Sequence, residues 1–185
     1  MTRYEAIITP LNEAKTGLVP HGKASFELNE QRLKITVEMT GGVPAKVLHH
    51  QDIHGLVNNR LAEPAAMTQD ANQDGVIDYV EIEHISGQPL IPLNEAPPQR
   101  LDFTADSYPV ANEKGDYDYY KEVGIDELVR NFKDAYNNAK LDLAKRVIYV
   151  YGVAKDIELP KTVQGDKPHV MLPIACGQIM EIDEG

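Results

Sequence analysis

Alternating apolar and polar positions dominate the first fifty residues and predict β-strands. Apolar side chains occupy every second position at Leu33, Ile35, Val37 and Met39, with polar residues between them. Residues 23–28 alternate in the same way, and an Asn-Glu-Gln turn separates the two stretches. This pattern predicts a β-hairpin with one face in the core.

Four further strands are expected elsewhere in the chain. Residues 3–9 and 146–151 are rich in β-branched and aromatic side chains, which favour strands. Residues 46–54 follow a Gly-Gly-Val-Pro turn signal, and residues 170–182 read as one last strand kinked at Gly177.

One helix is predicted within this β-rich pattern, from Gly124 to about Ala139. Its first turn contains Asp126 and Glu127, whose negative charges suit the positive end of the helix dipole. The apolar residues that recur at helical spacing are Ile125, Leu128, Val129, Phe132, Ala135 and Tyr136.

The order of these elements predicts a mainly β fold in a single domain spanning residues 1–185. We expect an antiparallel Greek-key β-sandwich, in the general manner of immunoglobulin-like domains, with one inserted helix. Residues 56–120 are rich in proline, glycine, asparagine and aspartate and read as a long loop insertion.

A calcium loop at residues 70–81 is the strongest chemical motif. The stretch matches the EF-hand pattern, with Gly75 at the sharp turn and Ile77 expected to enter the core beneath the loop. Calcium is a hard cation that takes six to eight oxygen ligands. The predicted ligands are Asp70, Asn72, Asp74, the backbone carbonyl of Val76, Asp78 and Glu81.

The residues flanking this loop differ from those of an EF-hand sensor. Pro64 limits the entering helix to a short piece, and Ser86-Gly87 and Pro89 end the exiting helix after about two turns. The sequence contains no second loop of this pattern, whereas EF-hand sensors pair their loops. We therefore expect a structural calcium ion.

A histidine-rich segment is a candidate for a second metal site. On an extended strand His50, Asp52 and His54 share one face and offer two imidazoles and a carboxylate, which suit zinc or copper. The alternative interpretation is that these are ordinary polar strand residues, or buried histidines that form hydrogen bonds, without a metal. The candidate ligands of this site are His49, His50, Asp52, His54 and His169.

Composition narrows the class of partner. The chain is 42% hydrophobic and 25% charged, and its formal net charge is −11. This negative charge disfavours binding to nucleic acid and to anionic membranes, and it favours binding of metal ions. No apolar run is long enough for a membrane span. Cys176 is the single cysteine, so an intramolecular disulfide and a cysteine-based zinc cluster are excluded.

Several of these motifs together resemble the chordin-type domain and copper-zinc superoxide dismutase. The relevant segments are Gly22-Lys-Ala-Ser-Phe-Glu-Leu, residues 33–39, Gly42-Val-Pro, Asp52-Ile-His-Gly and Pro173-Ile-Ala-Cys-Gly-Gln-Ile. The resemblance implies a dismutase-like β-sandwich, with residues 56–120 as an insertion carrying the calcium loop. In the dismutase a His-x-His strand binds copper.

The sequence departs from this family at positions that matter for copper. Asp52 replaces the first histidine of His-x-His, and Cys176 has no partner for the family's disulfide. A later His-Gly pair corresponds to Tyr151-Gly152. Since a redox copper site needs several rigid imidazoles, we do not expect dismutase activity.

The sequence leaves three interpretations of function. The leading one is a calcium-binding, non-catalytic protein whose histidines form at most a weak second metal site. We expect this protein to be periplasmic or secreted, with an export signal that is absent from this chain. The second is a divergent copper-binding or redox protein. The third is an adhesion or protein-interaction module that uses residues 89–120, with a contact surface of Tyr108, Tyr117, Tyr119 and Tyr120.

Overall fold

A computed structural model describes residues 1–182, so residues 183–185 of the predicted domain lie outside the described part. Within residues 1–182 no helix is both long and apolar enough to cross a membrane. The structure contains nine strands in this described range. They are β1 (Thr2–Pro10), β2 (Gly22–Leu28), β3 (Arg32–Thr40), β4 (Gln51–Gly55), β5 (Gln88–Pro92), β6 (Asp116–Gly124), β7 (Val147–Tyr151), β8 (Pro173–Gln178) and β9 (Met180–Ile182).

Four α-helices accompany the strands within residues 1–182, and two of them are only one turn long. They are α1 (Glu13–Thr16), α2 (Tyr79–Ser86), α3 (Ile125–Ala135) and α4 (Pro168–Met171). Three short 3-10 turns lie at Met67–Gln69, Pro98–Arg100 and Leu143–Lys145. Helix α3 buries Leu128 and Phe132, as the helical spacing predicts, and ends four residues before the expected boundary.

The strands form one antiparallel sheet in the order β5-β4-β7-β8-β1-β2-β3-β6, with β9 also paired to β1. The sheet curls into a half-barrel. The first part of β1 pairs with β2 and β9, while Thr9 and Pro10 at its end pair with β8, so β1 joins the two halves of the sheet. The predicted mainly β, antiparallel fold is confirmed.

The main core fills the inside of this curve. The hydroxyl of Tyr117 on β6 donates to Gln51 Oε1 on β4 at 3.0 Å, although these strands lie near opposite ends of the strand order. The hydroxyl of Tyr119 donates to the carbonyl of Asn94, also at 3.0 Å. Tyr117 and Tyr119 belong to the same core as the fully buried apolar residues Ile8, Phe26, Leu33, Ile35, Val37, Ile53, Ile148, Val150 and Ile174.

A second, smaller core lies on the other face of β7 and β8. Residues of β7 alternate between the two cores, because Ile148 and Val150 belong to the first and Tyr149 and Tyr151 to the second. The segment carrying the candidate calcium loop covers this face. The residues that this segment buries in the second core are Ala62, Ala65, Ile77 and Ile82. The predicted burial of Ile77 beneath the loop is confirmed.

Two strand boundaries differ from the predictions. β4 begins at Gln51 and not at residue 46, because Lys46 has a left-handed φ of 58° that interrupts the extended chain. The predicted last strand, residues 170–182, begins as helix α4 and divides between β8 and β9 at Ile179. The strand is not kinked at Gly177, which lies within β8. Glycine is needed there because a side chain would meet the carbonyl of Ile7 on β1.

Strands β5 and β6 are not among the predicted strands. β5 contains Pro89 and Pro92, which removes backbone donors, and it lies at the end of the sheet where prolines are tolerated. β6 alternates clearly and buries Tyr117 and Tyr119. Tyr108 is also buried and Tyr120 alone is exposed, so these four tyrosines do not form the contact surface that the adhesion interpretation requires.

Candidate functional site

The loop of residues 70–81 is organised around its own carboxylates. It connects the 3-10 turn at Met67–Gln69 to helix α2. The carboxylate of Asp70 accepts hydrogen bonds from the N–H groups of Asp74 at 3.1 Å and Gly75 at 2.9 Å. Gly75 has a φ of 84°, a conformation that favours glycine and turns the chain sharply, as the motif predicts.

The remaining predicted ligands in the first half of the loop lie beside Asp70. The side-chain oxygen of Asn72 accepts from the N–H of Asp74 at 2.9 Å, and Asp74 Oδ1 accepts from the N–H of Val76 at 2.9 Å. These short-range bonds form tight turns within the first half of the loop.

The far end of the loop folds back on its beginning. Glu81, in the first turn of α2, accepts from the N–H of Ala71 at 2.8 Å, ten residues earlier. Asp78 caps the same helix and accepts from the N–H groups of Val80 at 2.9 Å and Glu81 at 3.1 Å. The first and last predicted calcium ligands therefore belong to one closed loop.

Residues distant in sequence hold this loop in place. Asn12, which is 2% exposed, accepts from the N–H of Ile77 at 2.7 Å and donates to its carbonyl at 2.8 Å. The hydroxyl of Thr162 donates to Asp74, and the N–H of Gln164 donates to Asp78 at 2.7 Å. Their separations of 65 to 88 residues leave no local pattern that identifies them.

The loop carries negative charge that no lysine, arginine or histidine of the described residues neutralises. Within residues 1–182, none of Asp70, Asp74, Asp78 and Glu81 forms an ion pair. Asp78 is 1% exposed and Glu81 is 7% exposed. Buried carboxylates are normally paired or bound to a metal, because removing their charge from water is costly.

No three carboxylate, imidazole or thiol groups already converge on one point in the described part of the chain. The loop carboxylates instead accept backbone hydrogen bonds. An EF-hand donor set also includes an amide oxygen and a backbone carbonyl, here from Asn72 and Val76. The donor types in this closed loop therefore suit calcium, while the described positions of the carboxylates do not bring three of them to one point.

A buried polar cluster lies on the face of β4 and β7 that the insertion covers. Asp52 and His54 share this face, with 3.1 Å between Asp52 Oδ1 and His54 Nε2, as strand alternation predicts. The Tyr151 hydroxyl lies 3.0 Å from Asp52 Oδ1 and 2.6 Å from His54 Nε2. Burial raises the pKa of Tyr151 well above its ordinary value, so its hydroxyl is protonated.

This cluster is attached to the end of helix α2. His54 Nδ1 lies 2.8 Å from the carbonyl of Gly87, and because a carbonyl only accepts, Nδ1 carries a proton. The Ser86 hydroxyl lies 2.6 Å from the Tyr149 hydroxyl. Helix α2 thus follows the candidate calcium loop at one end and contacts the polar cluster at the other.

The other candidate histidines lie apart from Asp52 and His54 and have their own partners. His49 is fully buried between the carbonyls of Pro44 and Tyr151, and burial lowers its pKa. His50 stacks on Tyr108 with 4.1 Å between ring centroids. His169 Nε2 donates to the carbonyl of Ile157 at 2.8 Å.

Cys176 is buried beneath the insertion. Its sulfur lies 3.8 Å from the carbonyl of Ala65, and it belongs to the second core. Burial raises the thiol pKa to about 12, so the reactive thiolate is scarce near neutral pH. The thiol therefore lies under the insertion and not inside the main core.

Comparison with known proteins identifies no family for this chain. No protein-family model matches the sequence. A search of curated proteins finds no significantly similar sequence either.

Proposed function

We propose that this is a calcium-binding, non-catalytic protein in which the ion holds the insertion against the β-sheet. The observation that carries the proposal is the pair of buried carboxylates, Asp78 and Glu81, which close one loop and form no ion pair with any side chain of residues 1–182. Calcium binding would exchange some backbone N–H contacts for cation–oxygen contacts and would neutralise this charge.

The role we propose for calcium is structural. Asn12 and residues 162–164 fix the loop from two sides, and helix α2 continues from it into the Asp52–His54 cluster. An ion here would join four separate segments of the chain. A solitary loop fixed in this way has no paired loop with which to open a groove, so the geometry favours stabilisation over calcium sensing.

We also propose that the sheet belongs to the chordin-type and superoxide dismutase group of Greek-key β-sandwiches, carried by an exported protein. The position of His54 beside Tyr151, where that group places imidazoles, supports the relationship. Millimolar calcium outside the cytoplasm suits a single loop of modest affinity. In this proposal the copper chemistry of the group is lost, because a tyrosine hydroxyl takes the place of an imidazole.

Calorimetric titration tests the calcium assignment. We expect calcium to bind the chelator-treated protein with a stoichiometry of about one, as one EF-hand loop holds one ion. Glu81→Gln should weaken binding strongly because it removes a charged ligand, whereas Glu83→Gln, on the exposed side of the same helix, should not. Absence of binding by the native protein, or equal weakening by both variants, would contradict the assignment.

A further inference from the structure

A pocket of about 390 Å³ lies away from the calcium loop, at the end of the sheet where β4 begins and β7 ends. Helix α4 forms another side of it. The walls are apolar, with Val47, Val153 and Val170 among the lining residues. Its size falls within the range of pockets that hold small organic molecules.

The charge around this pocket has the opposite sign to that of the whole chain. Lys46, Lys155 and Lys167 line it together with a single acidic residue, Asp106. The chain as a whole carries a net charge of −11. Lys46 pairs with Glu113 at 3.1 Å, whereas Lys155 and Lys167 form no ion pair within residues 1–182.

The backbone of two of these lysines is strained. Lys46 has a φ of 58° and Lys167 a φ of 52°, and they are the two lysines with positive φ in the described part of the chain. Glycine or asparagine adopts this conformation at lower cost in free energy. Strain of this kind clusters at binding sites, where the side chain is needed for another purpose.

We propose that this pocket binds a small organic carboxylate with an apolar body. The carboxylate would lie beside Lys155 and Lys167, which line the pocket and form no ion pair in the described part of the chain, with Asp106 as the one acidic residue of the lining. The apolar body would lie against Val153 and Val170. His50, stacked on Tyr108, supplies a rigid planar wall. The site is separate from the proposed calcium function and does not depend on it.

The test is a titration of the full chain monitored by backbone NMR. Phenylacetate is the probe, and neutral phenylacetamide is its matched control. Phenylacetate should shift resonances of residues 153–155 and 167–170 saturably and bind about tenfold more tightly than phenylacetamide. The Lys155→Gln, Lys167→Gln double variant should lose about tenfold in affinity. Lys161→Gln, an exposed lysine outside the pocket, should bind like the native protein.

A second variant separates binding from folding. Lys167→Gly removes the side chain and relieves the positive φ, so we expect weaker phenylacetate binding without a fall in melting temperature. Native affinity in this variant would overturn the role of Lys167. No saturable shift up to about 10 mM phenylacetate, or equal affinity for phenylacetamide, would overturn the site itself.

Discussion

The hydroxyl of Tyr151 lies 2.6 Å from Nε2 of His54, and neither side chain is exposed to solvent. The same hydroxyl lies 3.0 Å from Asp52 Oδ1, so one phenol contacts both polar groups of strand β4. Buried polar groups of this kind stabilise a fold when every member has a partner and destabilise it when one is left alone.

Removal of the Tyr151 hydroxyl should therefore destabilise the fold. Tyr151→Phe leaves His54 Nε2 and Asp52 without this partner, and we expect a loss of about 1–3 kcal/mol in the free energy of unfolding by urea. Tyr120→Phe is the matched control, because Tyr120 is 59% exposed and should change stability by less than about 0.5 kcal/mol. Equal effects of the two substitutions would contradict the role of the buried cluster.

Copper should bind this cluster only weakly. A metal at Asp52 and His54 must displace the Tyr151 hydroxyl, and the nearest further imidazoles have their own partners. We expect added Cu(II) to be removed by gel filtration, His54→Ala to weaken binding further, and superoxide dismutation not to exceed that of free copper. Tightly bound stoichiometric copper in the purified protein would instead favour the copper-protein interpretation.

Arg146 should be a major determinant of stability. Its guanidinium is buried, donates to the carbonyls of Leu56 and Leu141 at 3.0 and 3.1 Å, and contacts that of Lys140. Arg146→Met leaves these acceptors unpaired, and we expect a loss of about 3 kcal/mol or more in the free energy of unfolding. Arg130→Met, on the exposed face of α3, is the control and should have little effect. A small effect at Arg146 would mean that water replaces the guanidinium.

Cys176 should make the fold sensitive to alkaline pH. Burial raises its pKa from the ordinary 9.0 to about 12, so between these values the unfolded chain loses a proton that the native protein retains. The contribution of Cys176 to the free energy of unfolding is therefore fully present below pH 9. It decreases as the pH rises toward 12, by up to about 1.4 kcal/mol per pH unit. Cys176→Ala should show a shallower decline in urea unfolding across this range, and an unchanged slope would contradict the assignment.

Local patterns were sufficient to predict the parts of the fold that depend on neighbours in sequence. The hairpin of β2 and β3 and the buried face of α3 follow from residue spacing, and so does the burial of Ile77 under the loop. β5 was missed because its prolines resemble loop residues, although prolines are tolerated at the end of a sheet.

The candidate site was predictable only in part, because its motif is local in sequence whereas the contacts that hold it are not. The twelve loop positions are contiguous in sequence, so the proposed calcium donors could be predicted from the motif alone. The contacts of Asn12 with Ile77 and of Tyr151 with His54 join residues 65 and 97 positions apart, and these depend on the sheet order. The left-handed backbone of Lys46 and Lys167 has no signal in residue type, because lysine rarely adopts it.

Calcium-dependent thermal unfolding tests the central claim most directly. The native protein should melt at a lower temperature after chelation and recover with calcium, with a stabilisation of about 2.7 kcal/mol when free calcium is about a hundred times Kd. Glu81→Gln should melt low in either condition, while Glu83→Gln should respond like the native protein. A melting temperature of the native protein that does not change between chelator and excess calcium would contradict the account.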